Sequence, residues 1–146
     1  MTDITGDTLV ALGEMVLLEE KALIHSFIAG GTITKGRAVV FDTDNNEVKQ
    51  AAAAGNALGI ALEAAVEGDY LSVLMNNGIV KVEVSGAIDA GVAVQTHTDG
   101  TIVALADQAV DEGGSATYTV YYARKLGIAL NTATADGDYI YILVAK

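Results

Sequence analysis

The sequence predicts an all-β protein: a compact β-barrel or sandwich-like domain of two internally repeated β units, preceded by an extended N-terminal arm. Three observations carry this prediction. Turn-forming clusters of Gly, Asn and Asp recur at roughly 8–12-residue spacing, which is typical of sandwiches and barrels. Several short segments alternate apolar and polar residues or are rich in β-branched side chains. One five-residue motif occurs twice, together with its flanking segments.

The repeated motif is Leu-Gly-Ile-Ala-Leu, at residues 58–62 and again at 126–130. Its glycines, Gly59 and Gly127, lie inside apolar strand-like segments. A glycine in the interior of a strand indicates a bulge or the close approach of another backbone. We therefore expect the same packing constraint at the same point of both units.

Further matches surround this motif and extend the repeat. Gly-Asp-Tyr follows each copy, at 68–70 and at 137–139. Upstream, a Gly-x-Ile-x-x-Gly pattern at 31–36 matches another at 86–91. Two copies are too few for a solenoid, which needs about three or more. A duplicated unit fused into one barrel or sandwich is therefore the favoured interpretation.

The repeat suggests a simple organisation of the chain. Residues 1–20 are expected to form the N-terminal arm, and residues 21–146 a single β domain. The halves of that domain are predicted at about 29–84 and 85–146. Residues 110–116 contain Asp-Glu-Gly-Gly-Ser and are expected to form an exposed loop that interrupts the second half.

Individual strands follow from the period of the sequence and from its turn residues. Residues 79–84 alternate apolar and polar after an Asn-Asn-Gly turn, which predicts a hairpin with residues 71–75. Residues 117–122 are β-branched and aromatic, as strands prefer. The segment 13–28 fits either an amphipathic helix or two strands, and we favour a strand over 22–28.

The composition argues against several classes of function. The net charge is −11, from 19 acidic and 8 basic residues, which opposes binding to nucleic acid and to anionic membranes. With no Cys, the chain has no disulfide and no thiolate metal site. No basic segment precedes the early aliphatic run at 15–18, which argues against a signal peptide. No run approaches the ~20 apolar residues of a membrane-spanning helix.

No residue pattern indicates a catalytic, metal or cofactor site, so we do not expect an enzyme. His25 and His97 are the only histidines, and ordinary hydrogen-bonding roles are favoured for both. The acidic segment 42–47 resembles part of a calcium loop, but it lacks the loop's central Gly and final Glu. A β-turn is favoured there over weak cation binding. Asp69 and Asp138 each follow a Gly at a strand entry and are expected to fix turns through backbone hydrogen bonds.

The six tyrosines are candidates for core or subunit contacts. A tyrosine buries a large ring and keeps a polar tip, which suits both environments. The strand predicted over residues 117–122 carries three of them, and the strand after the second Gly-Asp carries two. The candidate residues of an oligomer interface are Tyr118, Tyr121, Tyr122, Tyr139 and Tyr141.

The order of the motifs along the chain carries a resemblance that covers about residues 22–146. Its parts are Ala-Gly-Gly-Thr-Ile-Thr-Lys-Gly-Arg-Ala-Val at 29–39, Leu-Gly-Ile-Ala-Leu-Glu-Ala-Ala at 58–65, Gly-Asp at 68–69, Gly-Ile-Val-Lys-Val-Glu at 78–83, Gly-Ala-Ile-Asp-Ala-Gly at 86–91, and the second Leu-Gly-Ile-Ala-Leu with its Gly-Asp. In this order they resemble the phage capsid decoration proteins, also called capsid cement proteins.

The resemblance implies a virion structural protein on the outer surface of an icosahedral head. Such proteins are expected to be β-rich, commonly homotrimeric, and placed where major capsid subunits meet, stabilising the shell against internal DNA pressure. The implied partners are the major capsid protein and further copies of this chain. The N-terminal arm of such a protein can reach across the shell, so the candidate capsid contacts are Thr2, Asp3, Ile4, Thr8, Leu9 and Val10.

Two alternatives remain open from the residues themselves. A carbohydrate- or cell-surface-binding β module of a tail or surface layer would use exposed aromatic rings, although the chain has no Trp for a stacking platform. A carrier module would need a modifiable Lys in a tight turn. Lys35, Lys49 and Lys81 lie near turns or strands, and none has that setting.

Overall fold

The elements that the described residues form are short β-strands and a 3-10 turn at Thr98–Gly100. A computed structural model describes residues 12–13, 15–17, 22–43, 47–111, 116–120 and 124–146, with the backbone alone at 15–17, 107–111 and 116–120. The strands are β1 (Met15–Leu17), β2 (Leu23–Ala29), β3 (Ala38–Phe41), β4 (Glu47–Gln50), β5 (Gly59–Ala61), β6 (Tyr70–Asn76), β7 (Gly78–Glu83), β8 (Ala93–Thr96), β9 (Ile102–Ala104), β10 (Asp107–Asp111), β11 (Ala116–Val120), β12 (Gly127–Ala129) and β13 (Tyr139–Val144), and the 3-10 turn is Thr98–Gly100. The predicted all-β fold is confirmed.

The first half of the domain is a closed barrel with strand order β2-β4-β3-β5-β6. Closure depends on a short parallel contact, in which Ile28 and Ala29 of β2 pair with Glu47 and Val48 of β4. The other pairings are antiparallel. Small aliphatic side chains fill one core cluster, formed by Ala29, Ile33, Val39, Val48, Ala61, Ala65, Leu71 and Val73.

The second half repeats this arrangement as a sheet of order β1-β7-β13-β12-β8-β9. Val84 forms a parallel bridge with Ile102, at the position where Ala29 meets Val48 in the barrel. Strands β2, β3, β4, β5 and β6 therefore correspond to β7, β8, β9, β12 and β13. In this correspondence Asn77 lies between β6, the last strand of the first set, and β7, the first strand of the second set.

Backbone hydrogen bonds show how closely the two halves agree. Ile33 bridges Ala65 through reciprocal N–H···O bonds of 2.8 and 3.0 Å, and Ile88 bridges Ala133 with bonds of 3.0 and 2.8 Å. These bridges join the Gly-x-Ile-x-x-Gly segment to the segment after Leu-Gly-Ile-Ala-Leu in each half. The duplication inferred from sequence is thus a duplication of structure.

The predicted hairpin across residues 76–78 is wrong in its pairing, although both of its strands exist. β6 pairs with β2 and β5, whereas β7 pairs with β1 and β13. Asn77, at φ 60°, instead takes the chain from the barrel into the second sheet, and its N–H donates to Val144 at 2.8 Å. Both edges of each strand already have other partners, which no local turn signal reveals.

Three further expectations concern local segments. The strand favoured over 22–28 is present as β2. In the segment 110–116, predicted as an exposed loop, the outer residues 110, 111 and 116 belong to β10 and β11, an antiparallel ribbon inserted between β9 and β12, and residues 112–115 lie outside the described residues. Within the predicted arm, Met15 pairs with Val80, so β1 belongs to the second sheet.

The halves share one core and an ion pair at their junction. The larger core cluster unites Ala38, Ile60 and Leu74 of the barrel with side chains of the second sheet, among them Val80 and Val82. The Arg37 guanidinium lies 2.5 Å from the Glu83 carboxylate. Burial of aliphatic surface contributes roughly 25 cal/mol per Å², so this shared core holds the two halves together as one folded unit.

Candidate functional site

Four aromatic side chains of the barrel form a surface cluster, the aromatic patch, defined as His25, Phe27, Phe41 and Tyr70. The ring centroids of His25 and Phe27 are 5.0 Å apart. Phe27 and Phe41 meet edge to face at 5.8 Å and 79°, a geometry that aromatic quadrupoles favour. Tyr70 is 73% exposed and Phe41 53% exposed. With Ser26 and Ile28, the patch lines a shallow depression.

Strand geometry explains why these rings meet. Residues 25, 27 and 29 of β2 point to the same side of the strand, because side chains alternate along it. Ala29 and the partly buried Phe27 pack on the barrel core, while His25 lies nearer its open end. Phe41 ends β3, and Tyr70 begins β6 opposite Ile28. Ring contact therefore requires the closed barrel.

Carboxylates border this surface at the β2–β4 contact. Asp42 Oδ2 and Glu47 Oε2 both lie 3.0 Å from the point where a Cβ on Gly30 would stand. Lys49 Nζ lies 3.4 Å from Asp42 Oδ1. The loop between Asp42 and Glu47 corresponds to the predicted acidic turn, and its residues 44–46 lie outside the described part of the chain.

The two Gly-Asp motifs build turns, as predicted. Asp138 Oδ2 accepts hydrogen bonds from the N–H groups of Thr134 at 3.0 Å and Ala135 at 3.1 Å. These bonds hold the pKa of the Asp138 carboxyl below its ordinary value. In the equivalent turn, Asp69 Oδ2 accepts a bond from the N–H of Val66 at 3.3 Å. Both carboxylates therefore hold the backbone of their own turns through these bonds.

The predicted interface tyrosines fall in different environments. Tyr139 is 53% exposed, and Lys81 Nζ lies 5.5 Å from its ring centroid. Tyr141 is only 4% exposed and belongs to the core of its own chain. Tyr118 lies on β11, where only the backbone is described. Tyr121 and Tyr122, like the predicted capsid contacts Thr2, Asp3, Ile4, Thr8, Leu9 and Val10, lie outside the described residues.

The histidines make local contacts. His25 Nδ1 lies 2.7 Å from the carbonyl oxygen of Ser26, and His97 Nδ1 lies 3.2 Å from Thr98 Oγ1. Across the described ranges, no three His, Asp or Glu side chains group in a way that could hold a metal ion. The same ranges contain no helix with the length and apolarity to cross a membrane.

Sequence reasoning did not find the aromatic patch. His25 has no second His or Cys near it in the sequence, and no motif contains Phe27 or Phe41. Two aromatic residues two positions apart on β2 were the available signal, but their contact with Phe41 depends on barrel closure.

Comparisons with known proteins show the fold. The chain is similar to the N base of head fiber gp8.5 in bacteriophage phi29, with a TM-score of 0.56 and 17% sequence identity. The match covers 84% of this chain and 93% of that chain. No protein-family model and no curated protein matches the sequence.

Proposed function

We propose that this protein is a virion structural protein that binds the outer surface of a phage head shell as a homotrimer and stabilises the shell against internal pressure. The observation that carries the proposal is the duplicated β fold, shared across 84% of the chain with the base of a phage head fiber. The motif order that resembles capsid decoration proteins points to the same class independently of that fold. The proposed partners are the major capsid protein and two further copies of this chain.

The surface chemistry supports a binding role. The described exposed apolar residues include Phe41 and Tyr70 in the aromatic patch and Tyr139 on the second half. Exposed aromatic rings are typical anchors of protein interfaces. A net charge of −11 keeps such a protein soluble before it reaches a shell.

Stabilisation follows from binding that occurs only on the assembled shell. A ligand at one hundred times its dissociation constant stabilises the state that it binds by about 2.7 kcal/mol per site. A trimer that engages several shell subunits at once gains avidity from its linked contacts. Modest individual contacts therefore suffice for tight attachment.

The experiment uses phage heads that lack this protein. Purified protein should elute as a species of three times the 15.0 kDa chain mass in size-exclusion chromatography with light scattering. It should co-sediment with the heads to a saturating, symmetric stoichiometry and raise the temperature at which packaged DNA is released. An unrelated acidic β protein of similar size serves as the control. A monomer that leaves the heads unbound and their DNA-release temperature unchanged would overturn the proposal.

The exposed rings of Phe41 and Tyr70 also motivate a second candidate, a glycan-binding β module. A sugar would stack on such rings in place of a protein side chain. A glycan array distinguishes the two functions: specific hits abolished by Tyr70→Ala, with no head binding, would favour the glycan module.

A further inference from the structure

The two halves differ at one equivalent strand edge. β2 and β7 occupy the same place in their halves. Ala29 N–H donates to the Asp69 carbonyl at 2.8 Å, and Val84 N–H donates to the Asp138 carbonyl at 2.9 Å. Ala29 therefore corresponds to Val84, and Ser26, three residues before Ala29, corresponds to Lys81.

In the second half, the N-terminal segment covers this edge. Met15 of β1 pairs with Val80, and Leu17 pairs with Ile79, in an antiparallel register. The Lys81 carbonyl accepts a hydrogen bond of 2.9 Å from the N–H of Gly13. The outer edge of β7 thus has a strand laid along it.

In the first half, the matching edge carries no such strand within the described part of the chain. The backbone groups of Ala29 bond to Gly68 and Asp69, just before β6, so alternation along β2 turns those of Ile24 and Ser26 to the opposite edge. Only the end of β2, at Ile28 and Ala29, pairs with β4 there. The Ser26 carbonyl meets the ring of its neighbour His25 at 2.7 Å instead of an added strand.

This edge carries little of the usual protection against pairing, apart from one register shift against β6 between Leu23 and Ile24. Natural edge strands carry Lys, Pro, bulges or inward-pointing charges that prevent strand addition. Residues 23–27, Leu-Ile-His-Ser-Phe, contain no Lys, Pro, Asp or Glu. Leu23 and Ile24 are exposed, and the depression lined by the aromatic patch runs beside the strand. An added strand would find both hydrogen-bonding groups and apolar surface.

The charged side chains at one end of this edge indicate which residues an added strand would carry. Asp42 and Glu47 place two carboxylates at its β4 end, near Gly30, with Lys49 close to one of them. The N-terminal residues 2–11 of another copy contain Asp3 and Asp7 and no Lys or Arg. Like charge therefore disfavours that segment, whereas an apolar strand with a basic residue matches the site in charge.

We propose that the outer edge of β2, at residues 23–27, is a docking site for an extended apolar segment of a partner protein that carries a basic residue and adds to the barrel as an antiparallel strand. The proposal rests on the proposed function for the partner's identity, the shell subunit. Strand addition of this kind derives affinity from main-chain hydrogen bonds and specificity from side-chain pockets.

The test is Ser26→Pro, which removes an outward N–H at an edge where Pro is tolerated by the fold. Ser26→Thr keeps that N–H and is the matched control. We expect Ser26→Pro to weaken head binding at least tenfold at unchanged melting temperature and oligomeric state, and Ser26→Thr to bind within twofold of wild type. The Ile24 and Ser26 amides should become protected from hydrogen exchange when wild-type protein binds heads.

The outcomes separate the two proposals. Failure of the wild-type protein to bind heads would overturn the proposed function. If wild type binds and Ser26→Pro binds equally, with these amides unprotected, the docking site is wrong and the function stands. If Ser26→Pro instead converts a trimer into monomers, the strand comes from a second copy, and the shell subunit is not the occupant.

Discussion

Gly59 and Gly127 occupy the same position in the two halves, and each is pressed against a carbonyl of the neighbouring strand. A Cβ on Gly59 would overlap the Leu74 carbonyl oxygen, and one on Gly127 would overlap that of Leu143. The sequence predicted a bulge or a close backbone approach at these glycines, and the close approach is confirmed. Their recurrence follows from packing, because no larger residue fits beside that strand.

Replacing either glycine with Ala should destabilise the fold. Overpacking of a close contact costs roughly 1–3 kcal/mol, and here the obstacle is backbone that moves only with its strand. Urea unfolding measures the change in free energy. Gly31→Ala is the matched control, because no atom lies within 4 Å of its added Cβ, and we expect it to stay within about 0.5 kcal/mol of wild type. Equal stabilities for all three variants would contradict the packing argument.

The Arg37–Glu83 pair should couple the halves energetically. Its side chains are only 19% and 24% exposed, so removing one partner leaves the other charge poorly solvated. We expect Arg37→Met and Glu83→Gln each to cost about 1–3 kcal/mol, and a double-mutant cycle to give at least about 0.5 kcal/mol of coupling.

The control for this cycle is Lys49→Met, which removes the 3.4 Å contact with Asp42. Lys49 is half exposed, so solvent screens the pair and we expect a change of about 0.5 kcal/mol or less. Additive effects of Arg37→Met and Glu83→Gln would show that the junction does not depend on their contact.

The motifs and the structure agree where the constraint is local. The Gly-Asp turns needed only residues within one turn, and the Asp138 carboxylate binds the backbone as expected. The predicted hairpin of β6 with β7 is wrong because the pairing of each strand depends on which distant strands lie along its edges. β6 pairs with β2, and β7 pairs with β13. The correspondence of β2 and β7 is not visible in the sequence, because the two strands share a position in the fold and few residues.

The aromatic patch illustrates the same limit for the candidate site. His25 and Phe27 were visible on one strand, but Phe41 meets Phe27 only after β2 closes on β4. Likewise, Tyr139 and Tyr141 differ by two positions in sequence, yet one is exposed and the other lies in the core. In the barrel and in the second sheet alike, tertiary packing decides which of these rings are buried.

These two tyrosines should respond differently to substitution. Tyr141→Ala removes a buried ring and should cost roughly 3–5 kcal/mol, as large-to-small core changes do. Tyr139→Ala loses an exposed contact with Lys81 and should cost about 1 kcal/mol or less, while weakening the proposed trimer. Thermal unfolding and sedimentation equilibrium measure the two effects. A large loss of monomer stability in Tyr139→Ala would assign that ring to the core.

The Asp138 turn should make stability depend on pH. Its pKa is lowered in the folded protein, mainly by the Thr134 and Ala135 N–H groups, from an ordinary value of 3.8. The stabilisation from the charged carboxylate is therefore present above that value and is lost as the pH falls through it toward the lower folded pKa.

Asp138→Asn should consequently differ most from wild type near neutral pH, and the difference should shrink in acid. Urea unfolding at several pH values measures this. A constant difference between Asp138→Asn and wild type at every pH would contradict a role for the charge.

The β10–β11 ribbon should be dispensable for folding and necessary for trimer formation. Its strands pair with each other between β9 and β12, where the first half has only the short connection between β4 and β5. Replacing residues 107–125 with residues 53–57 copies that connection. It keeps Ala106, whose N–H donates a hydrogen bond of 3.2 Å to Oε1 of the buried Gln95.

The shortened variant lacks Tyr118, Tyr121 and Tyr122, three of the proposed interface residues. We expect it to keep its β-sheet circular dichroism and cooperative unfolding, because β9 and β12 retain their partners in the second sheet, and to elute as a monomer. A variant with all three tyrosines changed to Ser in the intact chain is the control and should also be monomeric. A folded trimer from either variant would place the interface elsewhere, and an unfolded shortened chain would show that the ribbon belongs to the folding core.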